Sequence, residues 1–151
     1  METLVTILMG TRNGAGHLQA QLDSIAAQNH RGWRLWVGDD GSTDATRDIL
    51  ADFARRVPQE VRVFDGACRG VAANFLGLLC RPDLPEGPVA FCDQDDVWYQ
   101  HRIGRALDHL EKAAGRPALY CSRTEVGQDP NKPLGTSPLW PRPPSFRNAL
   151  I

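Results

Sequence analysis

Long apolar runs are missing from this sequence: no stretch approaches the roughly 18 residues that a membrane-spanning helix needs. A basic surplus is missing too. The formal net charge is −1 over 151 residues, which leaves nothing to grip nucleic acid or an anionic membrane and suits one compact domain. Cysteine is sparse. Cys68, Cys80, Cys92 and Cys121 form no C-x-x-C pair and no ligand-like spacing with His17, His30, His101 or His109, which argues against zinc and disulfide frameworks and for a reducing, cytoplasmic setting. A domain of this length buries roughly 68–70% of its unfolded surface and needs no covalent staple. The opening METLVTILMG sets an acidic residue before a very short apolar run, unlike a signal peptide. Gly10, Gly14 and Gly16 miss the G-x-G-x-x-G spacing, and no G-x-x-x-x-G-K-[ST] loop occurs.

What is present alternates. Short apolar runs at residues 4–9, 35–37, 61–64 and 89–92 predict strands, the first of them buried, and 118–121 predicts a fifth. Between them, Leu18, Leu22 and Ile25 mark a helix within 15–28. Ile49, Leu50, Phe53 and Ala54 mark a second, which Ser42 or Thr43 can cap and Pro58 ends. A short helix is expected at 71–79, and another carries Ile103, Ala106, Leu107, Leu110 and Ala114. Strands alternating with helices predict an α/β fold with a Rossmann-like, mostly parallel sheet flanked by helices. Six prolines within residues 130–144 predict an extended loop. Phe146, Leu150 and Ile151 read as the start of a further helix, so the chain is expected to be a truncated piece: a first part over 1–125 and an incomplete second over 126–151.

Ligands of open parallel sheets bind beyond the carboxyl ends of the strands, and the polar motifs sit there. Strand one is followed by Gly10-Thr11-Arg12-Asn13-Gly14, strand two by Asp39-Asp40-Gly41-Ser42, strand four by Asp93-Gln94-Asp95-Asp96. Three carboxylates in four residues call for compensating charge, and a hard divalent cation such as Mg2+ or Mn2+, completed by water and substrate phosphates, supplies it. A single fixed carboxylate from the Asp39-Asp40 pair can accept the ring N–H of uracil or thymine. Plainer readings exist: a turn with a helix cap accounts for Gly41, a hydroxyl and one Asp but leaves one Asp over. A solvated helix N-terminus would account for the acidic cluster. Trp33, Trp36, Trp98 and Trp140 read as packing groups, with Trp98 the least clear because it adjoins that cluster, and His101 and His109 read as surface residues.

In order and spacing, these segments resemble the N-terminal half of the family 2 glycosyltransferases, which have the GT-A fold. The matching residues are 5–14 (VTILMGTRNG), Gln21-Leu22-Asp23-Ser24-Ile25 with Gln28, Asp39-Asp40-Gly41-Ser42-Thr43-Asp44, Gly70-Val71-Ala72-Ala73-Asn74-Phe75 and Cys92-Asp93-Gln94-Asp95-Asp96-Val97-Trp98. The Asp-Gln-Asp-Asp-Val-Trp form is particularly similar to bacterial rhamnosyltransferase-like members that build surface polysaccharides.

The resemblance implies a nucleotide-sugar-binding half over 1–125, with Gly10, Thr11, Arg12 and Asn13 lining the nucleotide pocket and Asn74 contributing to it. Asp40 would take the pyrimidine N–H, Asp95 would approach the ribose, and Asp96, with Asp95, would hold Mn2+ or Mg2+. Asp39 would be structural. The implied reaction is transfer of a sugar, rhamnose among the candidates, from a UDP- or dTDP-sugar to a glycan or lipid-linked glycan, at the inner face of the membrane or free in the cytoplasm. The general base is expected beyond Ile151. Arg12 stands where the family often has an aromatic residue and can still stack on a base; Ala73 stands where it often has a basic one and cannot reach a phosphate. A donor-binding module without catalysis and a metal-dependent nucleotidyltransferase are the alternatives.

Overall fold

A computed structural model describes residues 2–113, 115–127 and 133–138. The chain divides into two units, Met1–Asp108 and His109–Ile151. In the first, β1 (Val5–Thr11), β2 (Trp33–Asp39), β3 (Val61–Asp65) and β4 (Val89–Asp93) alternate with α1 (Leu18–Ala26), α2 (Thr46–Arg56) and α3 (Val71–Leu79), and α4 (Arg102–Glu111) follows.

The four strands form one sheet in the order β3-β2-β1-β4, all pairs parallel. Central β1 is apolar on both faces because both are covered, as parallel strands require. Val5, Ile7 and Met9 pack with Leu18, Leu22 and Ile25 of α1 and Leu50 and Phe53 of α2. On the other face Leu8 and Trp36 meet Leu78 of α3. Each such side chain, removed from water, contributes about 1.5–3 kcal/mol.

The α/β sheet expected from the sequence is therefore present, with its first four strands at the expected places and α3 at 71–79. Two expectations fail. Neither Ser42 nor Thr43 caps α2, which starts at Thr46 with no side-chain cap on its N-cap residue Ala45. The Ser42 hydroxyl is spent on Asp39, and Asp44 takes the Thr46 N–H at 3.0 Å instead. No strand forms at 118–121 either: Ala118, Leu119 and Cys121 are exposed, with Leu119 at 76%, and the segment joins no ladder among the described residues. The second unit instead contains a two-residue antiparallel ladder, β5 (Glu125–Val126) with β6 (Gly135–Thr136), the latter inside the expected proline-rich loop. Ala114, Trp140 and the helix expected from Phe146, Leu150 and Ile151 lie outside the described residues.

Candidate functional site

Parallel register places the chemistry. Thr11 pairs with Asp39, Asp39 with Asp65, and Gly10 with Asp93, so the carboxyl ends of all four strands lie flush. Chain order reverses between β1 and β4, the switch point at which doubly wound sheets open a crevice. A pocket of about 360 Å³ lies there, lined by Gly10, Thr11, Arg12, Asp40, Gly70, Val71, Asn74, Asp93, Gln94 and Asp95.

Asp39 and Asp40 are both buried, at 1% and 3% exposure, yet treated oppositely. Asp39 accepts from the Thr11 hydroxyl at 3.2 Å, from the Ser42 hydroxyl and N–H, and from Arg47 Nε at 2.6 Å. Burial pushes its carboxyl up, but the Ser42 hydroxyl and the Arg47 guanidinium outweigh burial and hold it below the usual value. Asp40 accepts one bond through Oδ2, from the Gly70 N–H at 3.0 Å. Its Oδ1 is buried with no partner. A buried carboxylate oxygen left bare is costly unless something else completes it. Gly66 passes so close that a Cβ there would lie 2.7 Å from this oxygen, and Gly70 turns over Asp40 with φ +90, a conformation open to glycine.

The acidic loop after β4 is exposed at Asp93, Asp95 and Asp96. Partial burial, then the charges of Asp93 and Asp95, raise the Asp96 carboxyl above its usual value, against a smaller opposing pull from Arg102. Such a set matches the hard oxygen donors that a divalent cation prefers. Among the described residues no three of His, Cys, Asp and Glu are grouped to cage an ion by themselves. Mg2+ and Mn2+ do not need such a cage, since substrate phosphates and water supply their remaining ligands. From below, α1 steadies the loop. With its amide turned to satisfy both ends, Gln21 donates to the Asp96 carbonyl and accepts from Trp98 Nε1 at 3.3 Å. The Ser24 hydroxyl accepts from the Trp98 N–H at 3.0 Å. Trp98, 4% exposed, is a core residue with Arg102 stacked 4.5 Å from its ring and offers no platform for a sugar. Burial pushes the Cys92 thiol up to about 12, so it packs as an inert apolar group.

Of the residues singled out from the sequence, Gly10, Thr11, Arg12, Asp40, Asn74 and Asp95 share the pocket wall, whereas Asn13 and Asp96 are outside its lining. Asn13, with φ 49, braces the loops: its N–H donates to Ser42 Oγ at 2.9 Å and its Oδ1 accepts the Thr43 N–H at 2.8 Å. Asn74 is 5% exposed and donates to the Gly38 carbonyl at 2.6 Å, passing where a Cβ on Gly38 would meet its Oδ1 at 2.2 Å. Sequence reasoning missed Gln94, Gly70 and Arg47. The amide of Gln94, alone among three carboxylates, was the available signal for the first.

The sequence model described as Glycosyl transferase family 2 matches residues 6–150. The chain is similar to the dTDP-rhamnosyl transferase RfbG of Shigella flexneri, 33% identical over 105 residues that make up 68% of this chain and 36% of that protein. It is also similar to the UDP-Glc:alpha-D-GlcNAc-diphosphoundecaprenol beta-1,3-glucosyltransferase WfgD of Escherichia coli, 25% identical over 113 residues, 72% of this chain and 42% of that one. Among solved structures, the mannosyltransferase PcManGT from Pyrobaculum calidifontis, in complex with GDP-Man and Mn2+, aligns with a TM-score of 0.63 at 24% identity over 73% of this chain and 33% of its own. S. aureus TarS 1-349 in complex with UDP-GlcNAc gives 0.61 at 20% identity over 82% and 40%. At these identities the structural likeness speaks for the fold alone, and that fold is GT-A. The chain spans about a third of the length of the first curated relatives, 36% and 32%.

Proposed function

The chain belongs to glycosyl transferase family 2, and from that membership we propose that it is the donor-binding part of a glycosyltransferase using a uridine or deoxythymidine diphospho-sugar, with rhamnose the sugar favoured by the likeness to RfbG. The observation that carries the reading is the bare Oδ1 of buried Asp40 beside a pocket whose opposite wall is acidic. Uracil and thymine each offer one ring N–H to complete that oxygen, and a buried carboxylate acceptor makes the bond charge-assisted. Gly10, Thr11 and Arg12 bring backbone close to the nucleotide, Arg12 can lie flat on the base, Asn74 holds the pocket floor to Gly38, and Asp95 reaches the ribose.

Asp96 and Asp95 would hold Mn2+ or Mg2+, which supplies Lewis-acid stabilisation of the charge on the departing diphosphate. The repulsion among Asp93, Asp95 and Asp96 supports a cationic occupant. The acceptor in this proposal is a glycan or a lipid-linked glycan in polysaccharide synthesis, a reading supported by the likeness to WfgD, whose name gives a GlcNAc-diphosphoundecaprenol. Among the described residues no helix is long and apolar enough to cross a membrane.

Calorimetric titration in the presence of Mn2+ tests this. UDP or dTDP is expected to bind, Asp96→Ala to weaken binding at least about tenfold, the equivalent of ~1.4 kcal/mol, and ADP, whose adenine has no ring N–H, to bind far more weakly. Equal binding of ADP would remove the role given to Asp40. Absence of binding by every nucleotide would remove the donor-site reading.

A further inference from the structure

Gln94 is the one uncharged residue of Asp93-Gln94-Asp95-Asp96, and both ends of its amide are spent on the backbone of Arg12. Its Oε1 accepts from the Arg12 N–H at 2.9 Å and its Nε2 donates to the Arg12 carbonyl at 3.2 Å. The β1–β4 ladder ends at Gly10 opposite Asp93. Just beyond, where the strands part into loops, the Gln94 side chain faces the backbone of Arg12, whose N–H and C=O come from its two flanking peptide groups, and continues the bridge that the backbones have given up.

Gly14 makes room for this. A Cβ there would lie 2.3 Å from Gln94 Oε1 and 2.7 Å from its Cδ, so the glycine is the seat into which the amide fits. Gly14 is held by its own N–H, which donates to Thr46 Oγ1 at 2.8 Å, so the seat is anchored to the start of α2.

We propose that Gln94 is a positioning residue: it clasps the loop after β1 to the acidic loop after β4 and so sets the spacing between the base wall, Arg12 and Asp40, and the carboxylates Asp95 and Asp96. This rests on the donor-site reading above. A diphospho-sugar must be held at its base and at its diphosphate at once, and those two grips arise on different strands. Fixing their separation before binding removes an ordering cost that the ligand would otherwise bear.

The test is titration of the chain with UDP or dTDP in Mn2+. Gln94→Ala and Gly14→Ala are each expected to weaken binding about tenfold. The double variant should bind no more weakly than either single one, because Gly14→Ala acts by displacing Gln94. Gln94→Leu, which fills the seat but neither donates nor accepts, should match Gln94→Ala. Melting temperatures should stay near that of the parent, since both Gln94–Arg12 bonds are solvent-exposed. Unchanged affinity in Gln94→Ala and Gln94→Leu, or additive losses in the double variant, would overturn the clasp while a loss in Asp96→Ala keeps the donor site. Unchanged affinity in Asp96→Ala as well would instead bring down the donor-site reading, and the clasp with it.

Discussion

Asp39 and Asp40 are neighbours with opposite fates, and the difference lies in which hydrogens each can reach. Alternation along β2 turns them to different sides of the strand end, so Asp39 meets Thr11, Ser42 and Arg47 while Asp40 meets the Gly70 N–H through Oδ2 and keeps Oδ1 buried without a partner. Turn chemistry in the sequence showed that one carboxylate was surplus. It did not show Arg47, because an ion pair across eight residues and a strand end depends on where α2 docks. The proposed base reading has a sharp consequence at this one residue. In Asp40→Asn the amide oxygen can keep the Gly70 N–H, which turns an NH2 toward the position of the bare Oδ1. Uracil and thymine then meet donor with donor, whereas cytosine, with an acceptor at the same ring position, meets a donor. UDP and dTDP binding should fall about 10- to 100-fold, the range of a lost hydrogen bond to a charged group at ~1.5–3 kcal/mol. CDP should bind the variant better than it binds the parent. Competition titrations with the three diphosphates check this, and a uniform loss across all three would show that Asp40 does not read the base.

At the scale of elements, strands and helices were legible wherever an apolar period was bounded by a breaker: β1 by Gly10, β2 by Gly38, α2 by Pro58. The expected fifth strand failed because an apolar run of four residues carries no information about a pairing partner, and strands are stable only in company. Helix α1 was read from Leu18, Leu22 and Ile25, and the polar side chains on its buried side were not. Gln21 and Gln28 are fully buried and Ser24 nearly so, and besides the bonds they make among themselves each has a partner more than seventy residues away, between Asp96 and Ile103. Gln28 accepts from the Ile103 N–H at 3.1 Å and donates to the Tyr99 carbonyl at 2.8 Å. It thus caps α4 from outside, satisfying one of the amides that a helix start leaves open. Gln28→Leu keeps the volume and removes these two bonds and a third, from the Gln28 amide to the Ser24 carbonyl at 3.2 Å, so it should cost about 2–4 kcal/mol and lower the melting temperature by roughly 5–15 °C in a protein of this size. A thermal melt within a degree or two of the parent would mean that α4 is held by its apolar contacts alone.

For the whole molecule, a net charge of −1 conceals a concentration of carboxylates at one edge of the sheet. Sequence order placed each motif at the end of a strand. It did not order the strands, and only the parallel register with β1 between β2 and β4 brings Asp40 and Asp95 to one pocket. A site assembled from loops on four segments exists in the folded chain and nowhere in the unfolded one, so any ligand of it must stabilise the fold by mass action. At a free concentration one hundred times its dissociation constant, a nucleotide with Mn2+ adds about 2.7 kcal/mol. For a chain of this length that corresponds to a rise of about 5–10 °C in melting temperature. The rise should need nucleotide and Mn2+ together, because the diphosphate completes the ion's ligands and the ion offsets the repulsion between the diphosphate and the acidic loop. UDP or dTDP with Mn2+ should therefore shift the melt, Mn2+ alone and ADP with Mn2+ should shift it little, and Asp96→Ala should lose most of the response. An equal shift from Mn2+ alone would place the ion elsewhere in the chain. An equal shift from ADP would mean that the pocket grips diphosphate without regard to the base.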